Sequence, residues 1–375
     1  MVGFEGAAAA VDNITLSGSA AYSTTQARTG SRSLRVNPGS GASGQCAIPN
    51  GNYQHFGLYI ASLPSVSRRI SGANSGGEVN LRLDSSGSLS VYNSNTLLGT
   101  SANLTTGTWY WIGFNRLPGT SIPLLQIDGV TAVTATSPGG SFSYVGAPGT
   151  EASAIDIYFD DVIVDPAGFL APSNVALLLP VSDNYRDTLW TGGSGGTTNL
   201  YDAVNNVPPA GLATENNTSQ IEHAGGAAVA GDTYSANMSS FANAGIGSGD
   251  TLLACQNLVV WGEDSATGTK MLRFWSSNPN LGADADYDVS TGDGSGATLN
   301  YGAGPPDYWN ERRSAIQTSP SITYSSPAVM SVGRWETASR VASVCFMGMY
   351  IAWTPAATDD GVPRPLKVYP QLLAH

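Results

Sequence analysis

The chain has 375 residues, enough for two or three domains at roughly 150 residues each. Only 12% of them are charged, against a usual ~25%, and 45 are glycine, which excludes helical bundles and coiled coils. With 41% apolar residues, eight Trp and sixteen Tyr, the chain can bury a large core, so general disorder is excluded too and an all-β protein rich in turns remains.

The formal net charge is −12, and lysine occurs only at Lys270 and Lys367. Basic residues stand together only as Arg68-Arg69 and Arg312-Arg313, so no nucleic-acid partner is expected. No apolar run approaches the ~20 residues of a membrane helix, so no membrane span is expected. Met1 to Glu5 shows neither a basic nor an apolar leader segment, which predicts synthesis in the cytoplasm without a secretion signal. Cys46, Cys255 and Cys345 are odd in number and far apart, which matches neither a disulfide framework nor a zinc site. Cys255 and Cys345 lie inside apolar runs and read as small buried side chains.

Residues 1–166 read as one β domain. Alternation marks strands at Val79–Leu83 and Leu89–Tyr92, joined by the turn Asp84-Ser85-Ser86-Gly87. Further strands fall at Trp109–Phe114 and Leu124–Ile127, the second ending in Asp128-Gly129, a strong hairpin signal. Ile155–Phe159 runs on through Asp160-Asp161 to Val164 as the last strand. Short strands about ten residues apart predict a sandwich. A boundary is expected at Asp165–Gly168, and residues 173–355 read as a second β-sandwich. Its strands are expected at Leu252–Trp261, Lys270–Trp275 and Val341–Trp353, the last apolar enough to cross the centre of a sheet. Residues 356–375, with Pro363, Pro365 and Pro370, read as a short proline-rich C-terminal tail.

Little in this sequence supports acid–base chemistry. The three histidines, His55, His223 and His375, have no partner at metal-binding spacing. Gly192 to Gly196 matches G-x-S-x-G literally, but the flanking Thr and Gly residues read as a flexible loop and not as a strand–turn–helix elbow. Oxygen ligands at Asp284, Asp286 and Asp288 are spaced like a calcium loop, yet Val289 stands where glycine is needed and Ser295 where glutamate is needed. That segment reads as a solvated acidic loop, with weak calcium binding as the alternative and no other cofactor expected. Of Asp160 and Asp161, alternation buries one, which then needs donors or a cation; a structural role fixing loops is expected. Trp109 and Trp111 share one sheet face, read as the core face, leaving Tyr110 outward. Tyr53, Tyr287, Tyr301, Tyr308 and Trp309 read as loop aromatics able to stack against sugar rings.

Several of these segments resemble the concanavalin-A-like lectin/glucanase jelly rolls. Gly3-Phe4-Glu5 and Arg28 to Val36 are similar to the opening of such domains. Thr106 to Ile112, followed by Leu125 to Gly129, resembles the laminin-G-type strand pair, and Ile157 to Val162 the closing strand. The resemblance implies a jelly roll over residues 1–166 and says little about function. Glucanases of that superfamily carry a Glu-x-Asp-x-x-Glu strand with carboxylates about 5 Å apart. Here Ala154 and Tyr158 flank Asp156 and the whole chain holds eight glutamates, so no hydrolase activity is expected.

The second half, with Asn184 to Trp190, Leu200 to Asn205 and its Gly/Ser/Thr-rich style, resembles virion proteins of tailed bacteriophages. That resemblance implies a non-enzymatic structural protein of the virion surface, placed as head decoration or as a tail or fibre component. Its partners would be other capsid or tail proteins, further copies of itself, and a host surface glycan. Two alternatives stand beside it: a free bacterial carbohydrate-binding, lectin-like module, and a polysaccharide-active enzyme.

Overall fold

The computed structural model describes residues 3–4, 14–48, 51–72, 79–140, 143–149, 151–165, 167–192, 197–205, 220–223, 233–263, 271–276, 287–290, 298–300, 308–313, 317–318, 329–334 and 342–356. Strands between residues 261 and 318 are given by their backbone. The described chain is all-β apart from one 3-10 turn at Leu200–Ala203, and it divides into two compact units, the chain passing from the first to the second after Val175. Each unit is a β-sandwich.

The first unit packs two seven-stranded antiparallel sheets face to face. One sheet runs β1 (Thr15–Gly18), β4 (Gly44–Ala47), β13 (Tyr144–Ala147), β6 (Arg68–Gly72), β7 (Val79–Leu83), β8 (Ser88–Asn93), β9 (Thr96–Asn103). The other runs β12 (Val130–Pro138), β11 (Pro118–Ile127), β10 (Trp109–Asn115), β5 (Tyr53–Ser62), β14 (Asp156–Asp165), β3 (Ser33–Val36), β2 (Ala20–Ser23). The alternation read at residues 79–83 is realised: Val79, Leu81 and Leu83 are fully buried, as are Leu89 and Val91 on β8. Across from them lie Leu34, Val36, Phe56, Leu58, Ile60 and Phe159, with Phe56 and Phe159 edge to face at 5.4 Å. Each such side chain contributes about 1.5–3 kcal/mol by leaving water.

The turn chemistry is also as expected. Asp128 (φ 51) and Gly129 (φ 80) form a two-residue turn that pairs Ile127 with Val130. Only glycine adopts that backbone at position 129 without penalty, so Gly129→Ala should cost about 1 kcal/mol, read as a lower midpoint in chemical denaturation.

The second unit has two sheets of its own. The larger has eight strands, running β17 (Trp190–Gly192), β18 (Ile221–His223), β27 (Ala342–Thr354), β20 (Thr251–Glu263), β24 (Tyr308–Arg313), β23 (Thr298–Asn300). In it β15 (Asn174–Leu178) also pairs with β27, and β25 (Gln317–Thr318) with β20. The five-stranded sheet runs β16 (Pro180–Arg186), β19 (Thr233–Met238), β26 (Val329–Arg334), β21 (Met271–Ser276), β22 (Tyr287–Ser290). As its composition predicts, β27 is central, and its residues Val344 to Trp353 are buried in an unbroken row. Cys255 and Cys345 are buried, and Cys46 likewise; none forms a disulfide. Between the sheets lie Leu178, Trp190, Tyr234, Val259, Val332, Met347 and Ile351. Of the proline-rich tail, all but Ala356 lies outside the described residues.

Candidate functional site

The outer face of the β10–β5–β14 sheet holds the groups with chemical potential, and register fixes which they are. One row pairs Tyr110 with Leu58, and Leu58 with Phe159 and Leu34 on the strands beyond. Those partners are fully buried core residues, so Tyr110 faces the sandwich interior. This reverses the face expected from sequence. Tyr110 lies at the rim, where its hydroxyl accepts from the Thr105 amide at 2.9 Å. Trp109 and Trp111 are the outward pair. The expectation failed because Trp111, although outward, is 2% exposed: a strap of chain at residues 169–175 covers it.

That strap is tied down by a buried ionic cluster. A bulge separates Asp160 from Ile163 in the β14–β5 ladder, and Asp161 takes φ 50. The irregularity buries both carboxylates completely, where simple alternation would bury one. Asp160 Oδ2 accepts from the amides of Arg28 (2.7 Å) and Thr29 (3.2 Å), and its Oδ1 from the Asp161 amide (2.9 Å). Asp161 Oδ2 pairs with Arg28 Nη1 at 2.6 Å, while its Oδ1 accepts from Thr29 Oγ1 (2.5 Å) and the Val175 amide (2.7 Å). Arg28 Nη1 also donates to the Ser173 carbonyl at 2.6 Å, and the guanidinium lies 4.9 Å above the Trp111 ring. Burial raises the Asp161 carboxyl above its ordinary value, and Arg28 and the hydrogen bonds pull against that rise. All four carboxylate oxygens are occupied and none reaches solvent, so the pair fastens the strap and has no access to substrate.

His55 completes the covered area. Its ring stacks on Trp111 at 5.9 Å and 15°, with Phe169 edge-on at 6.0 Å. His55 Nε2 accepts the Leu170 amide at 3.0 Å, which fixes the neutral ring. Burial lowers its pKa to about 4, against the opposite pull of Asp165 and the Ile163 backbone.

Beyond the strap the face is open. Register aligns Trp109, Tyr59, Tyr158 and Arg35 on four adjacent strands. Trp109 and Tyr59 are half-buried, with ring centroids 5.5 Å apart and tilted by 49°. Tyr158 meets Tyr59 edge-on at 5.7 Å. Arg35 lies over Tyr158 at 5.6 Å and grips Asp156 with two hydrogen bonds, 3.0 and 2.7 Å, on a side chain still 40% exposed. A half-buried indole and phenol and a planar ion pair thus share one sheet face, with Tyr158, 3% exposed, between Tyr59 and Arg35.

The aromatic residues singled out from sequence are placed differently. Tyr53 begins β5 and packs edge-on against Phe169 at 5.1 Å, so it belongs to the strap's footing and not to a free loop. Tyr287 opens β22, and Tyr308 and Trp309 open β24, so these three also stand on strands. Tyr301 lies outside the described residues, as do Asp284 and Asp286. Asp288 sits in β22 opposite Arg273, in a strand where a loop was expected. Among the described residues no group of three metal-ligating side chains comes together. Residues 193–196 of the G-x-S-x-G match also fall outside the description, while Gly192 ends β17.

Elsewhere, carboxylates mostly serve the backbone. Asp183 accepts the amides of Leu200 (3.1 Å) and Tyr201 (2.8 Å), and Asp250 those of Gly247 (2.7 Å) and Ala356 (2.9 Å). Short acidic side chains satisfy loop amides that no sheet ladder reaches.

No family model matches the chain, and no curated protein resembles it significantly. Among solved structures, the chain is similar to the cellulose-induced protein Cip1 at 16% identity and TM-score 0.29, covering 41% of this chain and 93% of that one. It is also similar to domain 4 of the Geobacillus stearothermophilus GH43 arabinanase AbnA in complex with arabinotriose: 14% identity, TM-score 0.29, covering 44% and 92%. A third is the VIP36 exoplasmic/lumenal domain in its Ca2+/Man3GlcNAc-bound form, with 11% identity, TM-score 0.29, and coverage of 44% and 88%. Likeness at this level assigns no ligand.

Proposed function

We propose that this chain is a non-enzymatic contact protein of a virion surface whose first sandwich meets a saccharide along the Trp109–Tyr59 ridge. The observation that carries the saccharide contact is the half-buried Trp109–Tyr59 pair, set on the same sheet face as the Arg35–Asp156 ion pair. Indole and phenol rings offer large rigid contact area with few rotatable bonds, and the ion pair offers planar hydrogen-bonding partners to sugar hydroxyls. A non-catalytic role is supported by Asp160 and Asp161, whose oxygens are committed to Arg28, Thr29 and the backbone. Placement on a virion is supported by tandem sandwiches and by an acidic surface almost free of lysine, which keeps a protein off packaged nucleic acid. A free carbohydrate-binding module would use the same ridge; immunolabelling of purified particles separates the two readings.

The test is glycan binding by the full chain, followed by tryptophan fluorescence against neutral oligosaccharides. Trp109→Ala should weaken binding at least tenfold while leaving the melting temperature within a few degrees, because the indole is only half-buried. Unchanged affinity in this variant would remove the ridge from the proposal.

A further inference from the structure

The segment that covers Trp111 is fastened firmly at its ends and lightly in its middle. At the first end Asp165 Oδ1 accepts the amides of Ala167 (2.6 Å) and Gly168 (3.1 Å). At the other end the Ser173 carbonyl accepts from Arg28 and the Val175 amide donates to Asp161. Of residues 169–172 between them, Leu170 alone bonds to the sheet among the described residues. Its amide donates to His55 Nε2 at 3.0 Å and its carbonyl accepts from Trp111 Nε1 at 3.3 Å. Phe169, Leu170 and Pro172 are half-buried and Ala171 is exposed, whereas His55 and Trp111 beneath them are buried. The Phe169 ring seats over Gly113, where a Cβ would come within 2.7 Å of it. Lifting this stretch breaks the two Leu170 bonds and the contacts of Phe169 with Tyr53 and His55, but no rung of a ladder.

The middle fastening depends on the charge of His55. Because Nε2 accepts from Leu170, the ring proton sits on Nδ1, which closes no well-formed hydrogen bond among the described residues. A second proton can go only to Nε2, where it would set N–H against N–H. Little around the ring compensates. On its two sides His55 stands opposite Gly113 of β10 and Ile163 of β14, neither of which carries a side-chain charge. Arg28, packed on the same indole, is already matched to Asp161, and Asp160 is held by backbone amides. Asp165 and the Ile163 backbone favour the charged ring, but burial outweighs them and holds it neutral down to about 4 while the segment is seated. Once lifted into water the ring ionises near 6.5, so proton uptake and lifting favour each other.

We propose that residues 168–172 form an acid-released flap, which lifts from the sheet while the sandwich stays folded and uncovers the His55 ring and the Trp111 indole N–H. The device needs no saccharide and stands whether or not the Trp109–Tyr59 pair binds one.

Amide hydrogen exchange on the full chain reads it, with each rate divided by that of the unstructured peptide at the same pH. Protection of the Leu170 amide should fall roughly 50-fold between about pH 7 and about pH 4.5. Low urea separates a local lift from global unfolding: exchange at Leu170 should ignore it, while exchange at the β5 and β10 ladders should accelerate. His55→Gln, which keeps an acceptor for Leu170 and takes up no proton, should flatten the pH response. Asp165→Asn, which still accepts the Ala167 and Gly168 amides, should keep it. Should His55→Gln fail to fold, the urea contrast in the wild type and the response of Asp165→Asn decide. Protection indifferent to pH, urea sensitivity at Leu170 equal to that of the ladders, an unaltered response in folded His55→Gln, or a lost response in Asp165→Asn would each overturn the proposal.

Discussion

Asp161→Asn should destabilise the first sandwich by about 3–5 kcal/mol in urea denaturation, lowering its melting temperature by roughly 10 °C. The substitution isolates charge from shape. Asparagine tolerates the left-handed backbone at position 161 at least as well as aspartate, so the bulge should survive. What disappears is the counter-ion of a guanidinium that is itself 8% exposed, 2.6 Å away. Leaving that cation buried and unpaired is the expensive outcome; removing both charges together should be cheaper. The Arg28→Met/Asp161→Asn double variant should therefore recover part of the loss, and a double-mutant cycle reads the coupling directly. A loss below about 1 kcal/mol in the single variant would mean that the strap is held by its packing on Trp111 and His55 alone.

Acidification should weaken the same region through a different group. His55 is neutral in the folded protein, with a pKa near 4, and ionises near 6.5 once unfolded. Between those values the unfolded chain binds a proton that the folded one refuses, so stability falls as pH drops from about 6.5 to about 4 and levels off below. At about 1.4 kcal/mol per pH unit the full effect is about 3 kcal/mol. Protonation at Nε2 would also set two donors against each other at the Leu170 amide. Carboxylates titrate in the lower part of this range, so the informative quantity is the difference between the wild type and His55→Gln. Glutamine can still accept from Leu170 but takes up no proton, and its stability should be flatter over pH 4–7. Parallel profiles would contradict the assignment.

Much of this architecture is legible in the residues. The alternation of Val79-Asn80-Leu81-Arg82-Leu83, the Asp128-Gly129 turn and the unbroken apolar run before Thr354 each specify a local geometry that the fold keeps. The candidate site was less legible, for two physical reasons. Period-2 patterning groups Trp109 with Trp111 but does not say which face looks inward, and a sheet covered on both sides erases the contrast that would decide it. The bulge beyond Asp160 is likewise silent in sequence, because it depends on Arg28 and Val175 arriving from 132 residues upstream and 14 residues downstream. The pair Arg68-Arg69 makes the same point. Register sets Arg68 opposite the core residue Leu83, where it is fully buried and donates to the Ala42 carbonyl, while Arg69 faces out beside Arg82. The basic cluster of the outer face is thus assembled across strands, invisible to any reading along the chain.

The place of β27 bears on how the second sandwich comes into being. During translation, β18 and β20 emerge from the ribosome long before residues 342–354, yet the strand that lies between them is the one still unsynthesised. Until it arrives, both neighbours present ladder edges with nothing to complete them, over a separation of some ninety residues in the case of β20. Co-translational closure of this half is therefore forbidden by topology, and nascent chains stalled before Ala342 should be the species that chaperones hold and proteases cut.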